Sequence, residues 1–219
     1  ALILFDLWGA GKRYINADRF ERPSAIQKTF TPGVADTEIL NDSSYKRVLN
    51  LTTSVFNDNS PTSWFHKSIG GYHGAKLKRY QELIDSTISR ELGMFQTAFQ
   101  NAGQVQTVEE LASHLMPVFN NTVVLNMLNT KYVIVDPQSP PVTNPNALGN
   151  AWFVEKPLIA GSASEELASL KMINPAREAV IDTRFSESIR SAQYAVSEGD
   201  KIELITYQPN ELEYRYTAE

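Results

Sequence analysis

Apolar and polar positions recur along this chain with two different periods. Leu77, Tyr80, Ile84, Ile88 and Leu92 fall near helical spacing with Lys, Glu, Asp and Arg between them, which predicts a helix over 75–92. Thr107-Val-Glu-Glu110 has capping-box spacing and predicts a second helix through Leu111, Leu115 and Met116, stopped by Pro117. Residues 122–129 read as a short helix running into a strand at Lys131–Val135. Ser162-Ala-Ser-Glu165 opens another short helix through Leu167 and Leu170.

Strand patterns lie between and after these helices. Ala1–Phe5 reads as a buried strand ending at Asp6, with Gly9 and Gly11 making the turn. Residues 46–51, 151–160 and 178–182 read as further strands, and the four prolines between 137 and 145 as a loop. In the tail, Ala192/Tyr194/Val196, Ile202/Leu204/Thr206 and Leu212/Tyr214/Tyr216 each alternate, with turns at 198–200 and 208–210. That pattern predicts an antiparallel meander with one wet face. The expected class is α+β: a mixed α/β body over 1–185 and a β-rich antiparallel C-terminal part over 186–219, truncated. The chain begins at Ala1 on an apolar run and stops at Glu219 just after a strand pattern, so both ends read as cut from a longer protein.

Composition narrows the chemistry. The 219 residues carry a formal charge of -5, which argues against nucleic acid as a main partner. There is no cysteine, so disulfides, thiol chemistry and cysteine-based zinc sites are excluded. No apolar run approaches the ~20 residues of a membrane helix. HExxH, GxSxG and phosphate-loop spacings are missing, so no catalytic residue, metal site or cofactor is assigned.

Four groups of residues are candidates for chemistry. Gly70, Gly71, Tyr72, His73 and Gly74 precede Lys76, Lys78 and Arg79 at the start of a helical pattern. Backbone N–H groups and the basic side chains there would hold an anion or phosphate; alternatively, the glycines allow tight packing beside a solvated basic face. Asp6 and Trp8, with Gly9, Gly11, Lys12 and Arg13, would frame a sugar or phosphate, or form a plain turn with a core tryptophan. His66 and His73 suit acid–base work or structural hydrogen bonds. Trp64, Phe65, Tyr72 and Tyr80, with Trp8 and Tyr14, suit carbohydrate or a satellite apolar cluster.

Several runs together resemble one family. Gly70-Gly-Tyr-His-Gly-Ala-Lys-Leu77, followed by Arg79-Tyr-Gln81, resembles the GGYHGAKLxRYQ signature of YfhO-family bacterial membrane proteins of the Bacteroidetes type. Asp6-Leu-Trp8 with Lys12-Arg-Tyr-Ile-Asn16 resembles that family's DLW…KRYLN opening. Residues 45–50 resemble its YRVLN strand, 124–133 its LNMLNTKYII element, and 144–153 its NPxALGNAWFV segment. Residues 202–216 resemble the strands that precede a GWxxxxDG segment, which is absent here. The matches run in the family's order over most of the chain.

The resemblance implies a place in a polytopic protein of the GT-C glycosyltransferase type, on the extracytoplasmic (periplasmic) side of the inner membrane. It implies partnership with a transmembrane part of the same polypeptide and with a lipid-linked sugar or envelope glycan. In such folds the catalytic acid sits in a loop near the first membrane helices, outside this stretch, so none is carried over. Three functions follow as expectations. The first is a non-catalytic part of a polyprenyl-phosphate sugar transferase, marked by a groove of clustered aromatic and carboxylate groups. The second is a structural or interaction domain, marked by a buried glycine loop. The third is a free-standing enzyme, with His73, Asp6 or Asp85 meeting in one pocket.

Overall fold

The structure, a computed structural model, describes residues 2–16, 20–57, 61–103, 105 and 107–218. Ala1 and Glu219, the two ends that read as cut, lie outside them. The chain forms two compact units, residues 1–33 and residues 34–219. The boundary drawn from sequence at 185 falls inside the second unit, within a 3-10 turn over Thr183–Ser188.

The first unit holds helix α1 (Leu2–Tyr14) and helix α2 (Pro23–Thr29). The expected strand at the start, its residue Ala1 outside the described range, is therefore corrected to helix, with Gly9 and Gly11 inside it rather than in a turn. Ile3, Leu4, Phe5 and Leu7 of α1 are exposed, whereas the sequence suggested burial. A continuous apolar run has no period of its own, so strand and helix are not separable there by pattern.

In the second unit, a three-stranded sheet runs in the order β1 (Arg47–Asn50), β2 (Thr130–Ile134), β3 (Val142–Thr143). β1 and β2 are parallel; β2 and β3 are antiparallel. Side chains alternate across the sheet, and both faces are covered. Val48 and Ile134 pack with Ala35 and Ile39 of α3 (Val34–Asn41). Leu49 and Val133 join the main core, with Phe95, Leu115, Phe119, Val124 and Leu125.

The remaining elements frame this core. α4 is short (Thr62–Phe65). The predicted helix over 75–92 starts later, as α5 (Lys78–Leu83), passes through a π turn (Ile84–Ile88) and continues as α6 (Ser89–Ala102). α7 (Val108–Asn121) opens with the Thr107 hydroxyl accepting the Glu110 N–H at 3.1 Å, as the capping spacing predicts. Pro117 lies inside α7 instead of ending it. α8 spans Val123–Met127.

A βαβ unit follows: β4 (Lys156–Ala160), α9 (Ala163–Ser169) and β5 (Glu178–Asp182), the two strands parallel. The tail is one antiparallel hairpin, β6 (Lys201–Gln208) and β7 (Glu211–Thr217). Residues 192–196, whose alternation predicted a third strand, form none. The class is mixed α and β with an antiparallel C-terminal part.

The expected place within an integral membrane protein is corrected. Among the described residues no helix is long and apolar enough to cross a membrane. α1, with its apolar start, has 13 residues and carries Asp6 in its middle, against the ~20 apolar residues a span requires.

Candidate functional site

The glycine-rich loop is built by close packing. A side chain on Gly70 would run into the Val55 carbonyl group, whose carbon would lie 2.7 Å from the new Cβ. Gly71 sits at φ +115° and donates its N–H to the Val55 oxygen at 2.7 Å, a backbone region that favours glycine. The Tyr80 hydroxyl donates to the Ile69 carbonyl at 2.6 Å. Gly74 is open, Tyr72 is exposed, and the His73 Nδ1 accepts the Ala75 N–H at 3.0 Å.

The basic side chains of this stretch diverge. Lys76 lies 5.5 Å from the Phe56 ring centre. Lys78 faces Glu82 at 3.8 Å, and Arg79 faces Glu166 at 3.6 Å. Asp85 accepts the Gln81 amide at 2.8 Å. Asp6 and Trp8 lie on α1 in the other unit, Trp8 exposed with the Lys12 ammonium 5.4 Å from its ring. His66, not His73, meets a carboxylate: its Nε2 is 2.9 Å from Asp36 Oδ1, tying the end of α4 to α3.

The motif asparagines form an internal frame. Asn126 donates to the Phe119 carbonyl at 2.8 Å, and Asn144 donates to Asn126 Oδ1 at 2.8 Å and to the Thr130 carbonyl at 2.9 Å. Asn129 adopts φ 56° and donates to the Tyr45 carbonyl at 2.8 Å. The fully buried Glu91 accepts the Val124 and Leu125 N–H groups, each at 2.9 Å, so a carboxylate caps α8 from another helix. Burial pushes its pKa up, against the lowering effect of those N–H donors.

This frame shapes a groove between the body and the hairpin. An open cleft of about 820 Å³ is lined by Ser43, Ser44, Tyr45 and Lys67 on one wall and by β6 on the other. It adjoins a pocket of about 270 Å³ formed by Tyr45, Arg47, Asn129, Asn150, Tyr207 and Tyr214. The Tyr45 and Tyr207 rings are 4.7 Å apart and tilted by 42°. The Lys67 ammonium lies 5.1 Å from the first and 4.6 Å from the second. Burial and hydrogen bonding to Tyr207 raise the Tyr45 pKa, while Arg47 and Lys67 oppose the rise. Aromatic rings beside amides and hydroxyls can pack on sugar C–H edges and bond sugar hydroxyls.

The sequence placed Tyr45 in a family-like strand and Tyr207 and Tyr214 in alternating strands, without joining them. The aromatic set it did single out is dispersed: the Phe65 ring lies 6.2 Å from the His66 ring and tilted by 56°, and Tyr80 is spent on the glycine loop. The alternation Ile202/Leu204/Thr206 is interrupted by a register shift between Leu204 and Thr206, so Tyr207 rather than Thr206 shares a face with Leu204, Leu212 and Tyr214.

A comparison with protein-family models, with curated proteins and with solved structures gave no match in any of the three. The resemblance to the YfhO family thus rests on the sequence motifs alone.

Proposed function

We propose that the chain is a non-catalytic, glycan-holding part of a lipid-linked sugar transferase resembling YfhO, working on cell-envelope glycans. The observation that carries this reading is the groove lined by Tyr45, Tyr207 and Tyr214, with Asn129 and Asn150 beside them. Ring faces next to amide groups are the chemistry a sugar needs: apolar C–H edges on one side and hydroxyls on the other. The ordered motifs add the link to polyprenyl-phosphate sugars. An acid–base pair is not drawn from the glycine loop, because His73 and Asp85 are each bonded to a near neighbour in sequence.

Calorimetric titration of the chain with envelope oligosaccharides and a soluble polyprenyl-phosphate sugar analogue tests this. Saturable binding is expected, abolished by Tyr207→Ala with the circular dichroism unchanged. Binding that survives Tyr207→Ala, or no binding at all, would sink the reading. Turnover of a sugar substrate lost on His73→Ala would support a free-standing enzyme instead.

A second reading, a structural domain without substrate contact, draws on the placement of Gly70, Asn126 and Asn144. These family-like motif residues are used inside the fold.

A further inference from the structure

The charges of the groove do not balance. Arg47 and Lys67 both line it. Neither has a carboxylate within 4 Å among the described residues. What joins Arg47 and Lys67 is their place: both flank the tyrosine-lined groove, Arg47 at the smaller pocket and Lys67 at the adjoining cleft. Among the described residues of the second unit, Lys46, Lys78, Arg79, Lys131, Lys156, Arg177 and Arg184 form ion pairs, while Lys76, Arg90, Lys171, Arg190, Lys201 and Arg215, like Arg47 and Lys67, form none.

The surroundings keep both cations at the groove. Arg47 is half-buried as a residue, and its guanidinium donates to the Leu128 carbonyl at 3.4 Å, a long contact that uses one of its five N–H groups. Lys67 rests on the Tyr45 and Tyr207 rings, which attract its charge without neutralising it. Tyr45 senses both charges, since each favours its ionised form. Among the described lining residues the one carboxylate, Glu203, stands opposite Arg215 across the hairpin.

We infer that the groove takes a saccharide unit bearing a negative charge, a carboxylate or a phosphate, with its ring on the tyrosines and its anion between Arg47 and Lys67. This rests on the glycan reading above and names the substrate class of that site. A planar guanidinium pairs with carboxylate or phosphate through two N–H groups, and the mobile ammonium adds a point charge. The pocket of about 270 Å³ is near the lower end of ligand-site size and suits a single sugar ring.

The test compares tri-galacturonate with its neutral methyl ester, and galactose 6-phosphate with galactose, at low and physiological salt. Inorganic phosphate is titrated alone. Wild type should bind at least one acidic sugar about tenfold or more tightly than its neutral counterpart, the scale of one charge-assisted hydrogen bond. That advantage should shrink with salt and disappear in Lys67→Gln and Arg47→Gln, while the exposed Lys78→Gln leaves it intact. Which acidic sugar binds identifies carboxylate or phosphate as the source of charge. Because Arg47 opens β1, Lys67→Gln serves as the readout if Arg47→Gln unfolds.

Equal affinity for charged and neutral sugars, with both lost in Tyr207→Ala, would overturn the charge inference and leave the glycan reading standing. No sugar binding would overturn both. Inorganic phosphate binding as tightly as the sugar phosphate, or an advantage lost in Lys78→Gln and kept in Lys67→Gln, would overturn the proposed site.

Discussion

Glu91 and Val124 lie 33 residues apart, yet the Glu91 Oε1 accepts the Val124 backbone N–H at 2.9 Å in the middle of the core. The other carboxyl oxygen takes the Leu125 N–H at the same distance. The start of α8, whose own cap residue Thr122 offers no side-chain cap bond, is held by this one side chain from α6.

Glu91→Ala should therefore destabilise the fold by about 2–4 kcal/mol, because two buried N–H groups lose their acceptors. Glu91→Gln keeps one acceptor and should cost less. Chemical denaturation of the three proteins measures both differences.

Glu91 also sets a pH dependence. Its folded pKa is raised above the ordinary 4.5, so the folded state holds the proton more tightly. The associated stability is fully present below the unfolded value and is lost as pH rises through the folded one. Wild type should lose stability relative to Glu91→Gln as pH climbs from about 4.5 upward. A constant difference between the two proteins over that range would refute this.

Asp42 should show the opposite sign. Although burial works against its charge, the Lys131 ammonium at 2.7 Å, the Ser44 N–H and hydroxyl and the Tyr132 hydroxyl hold its pKa far below the ordinary 3.8. Its stabilisation is present above the unfolded pKa and disappears as pH falls through the folded one. Asp42→Asn should be less stable than wild type near neutrality, and the gap should narrow steadily as pH falls below the unfolded value of 3.8. Thermal melts from pH 7 to 2 read this directly.

The three loop glycines should differ sharply when replaced. Gly70→Ala meets the Val55 backbone and should destabilise by ~2 kcal/mol or more through overpacking. Gly71→Ala has open space but an unfavourable φ, and should cost about 1–2 kcal/mol. Gly74→Ala should be near neutral, having neither constraint. Equal melting temperatures for all three would show that the loop yields.

Local signals in the sequence were informative where a side chain acts on its own neighbourhood. The Thr107 and Ser162 caps announced α7 and α9, and each hydroxyl does accept the predicted N–H. The strands at 47–50, 130–134 and 178–182 were readable from their apolar runs. Pro117 misled because it lies within a helix packed on both sides by core residues, Leu115 and Val118. Tertiary packing there outweighs a local breaker. The groove was not readable, because Tyr45 and Tyr207 meet only through the docking of the hairpin. Glu91 was hidden as well: an acid in a helical pattern looks solvated unless its distant partner is known.

The Asn129 amide reaches the Tyr45 carbonyl across 84 residues, and β1 pairs in parallel with β2 over a comparable stretch of chain. A ribosome adding about 5–20 residues per second would leave β1 without its partner for roughly 4 to 17 seconds. Val48 and Leu49, wholly covered in the finished protein, stay open to the cell for that time. Birth of this fold thus depends on what shields a four-residue strand while its partner is still being made.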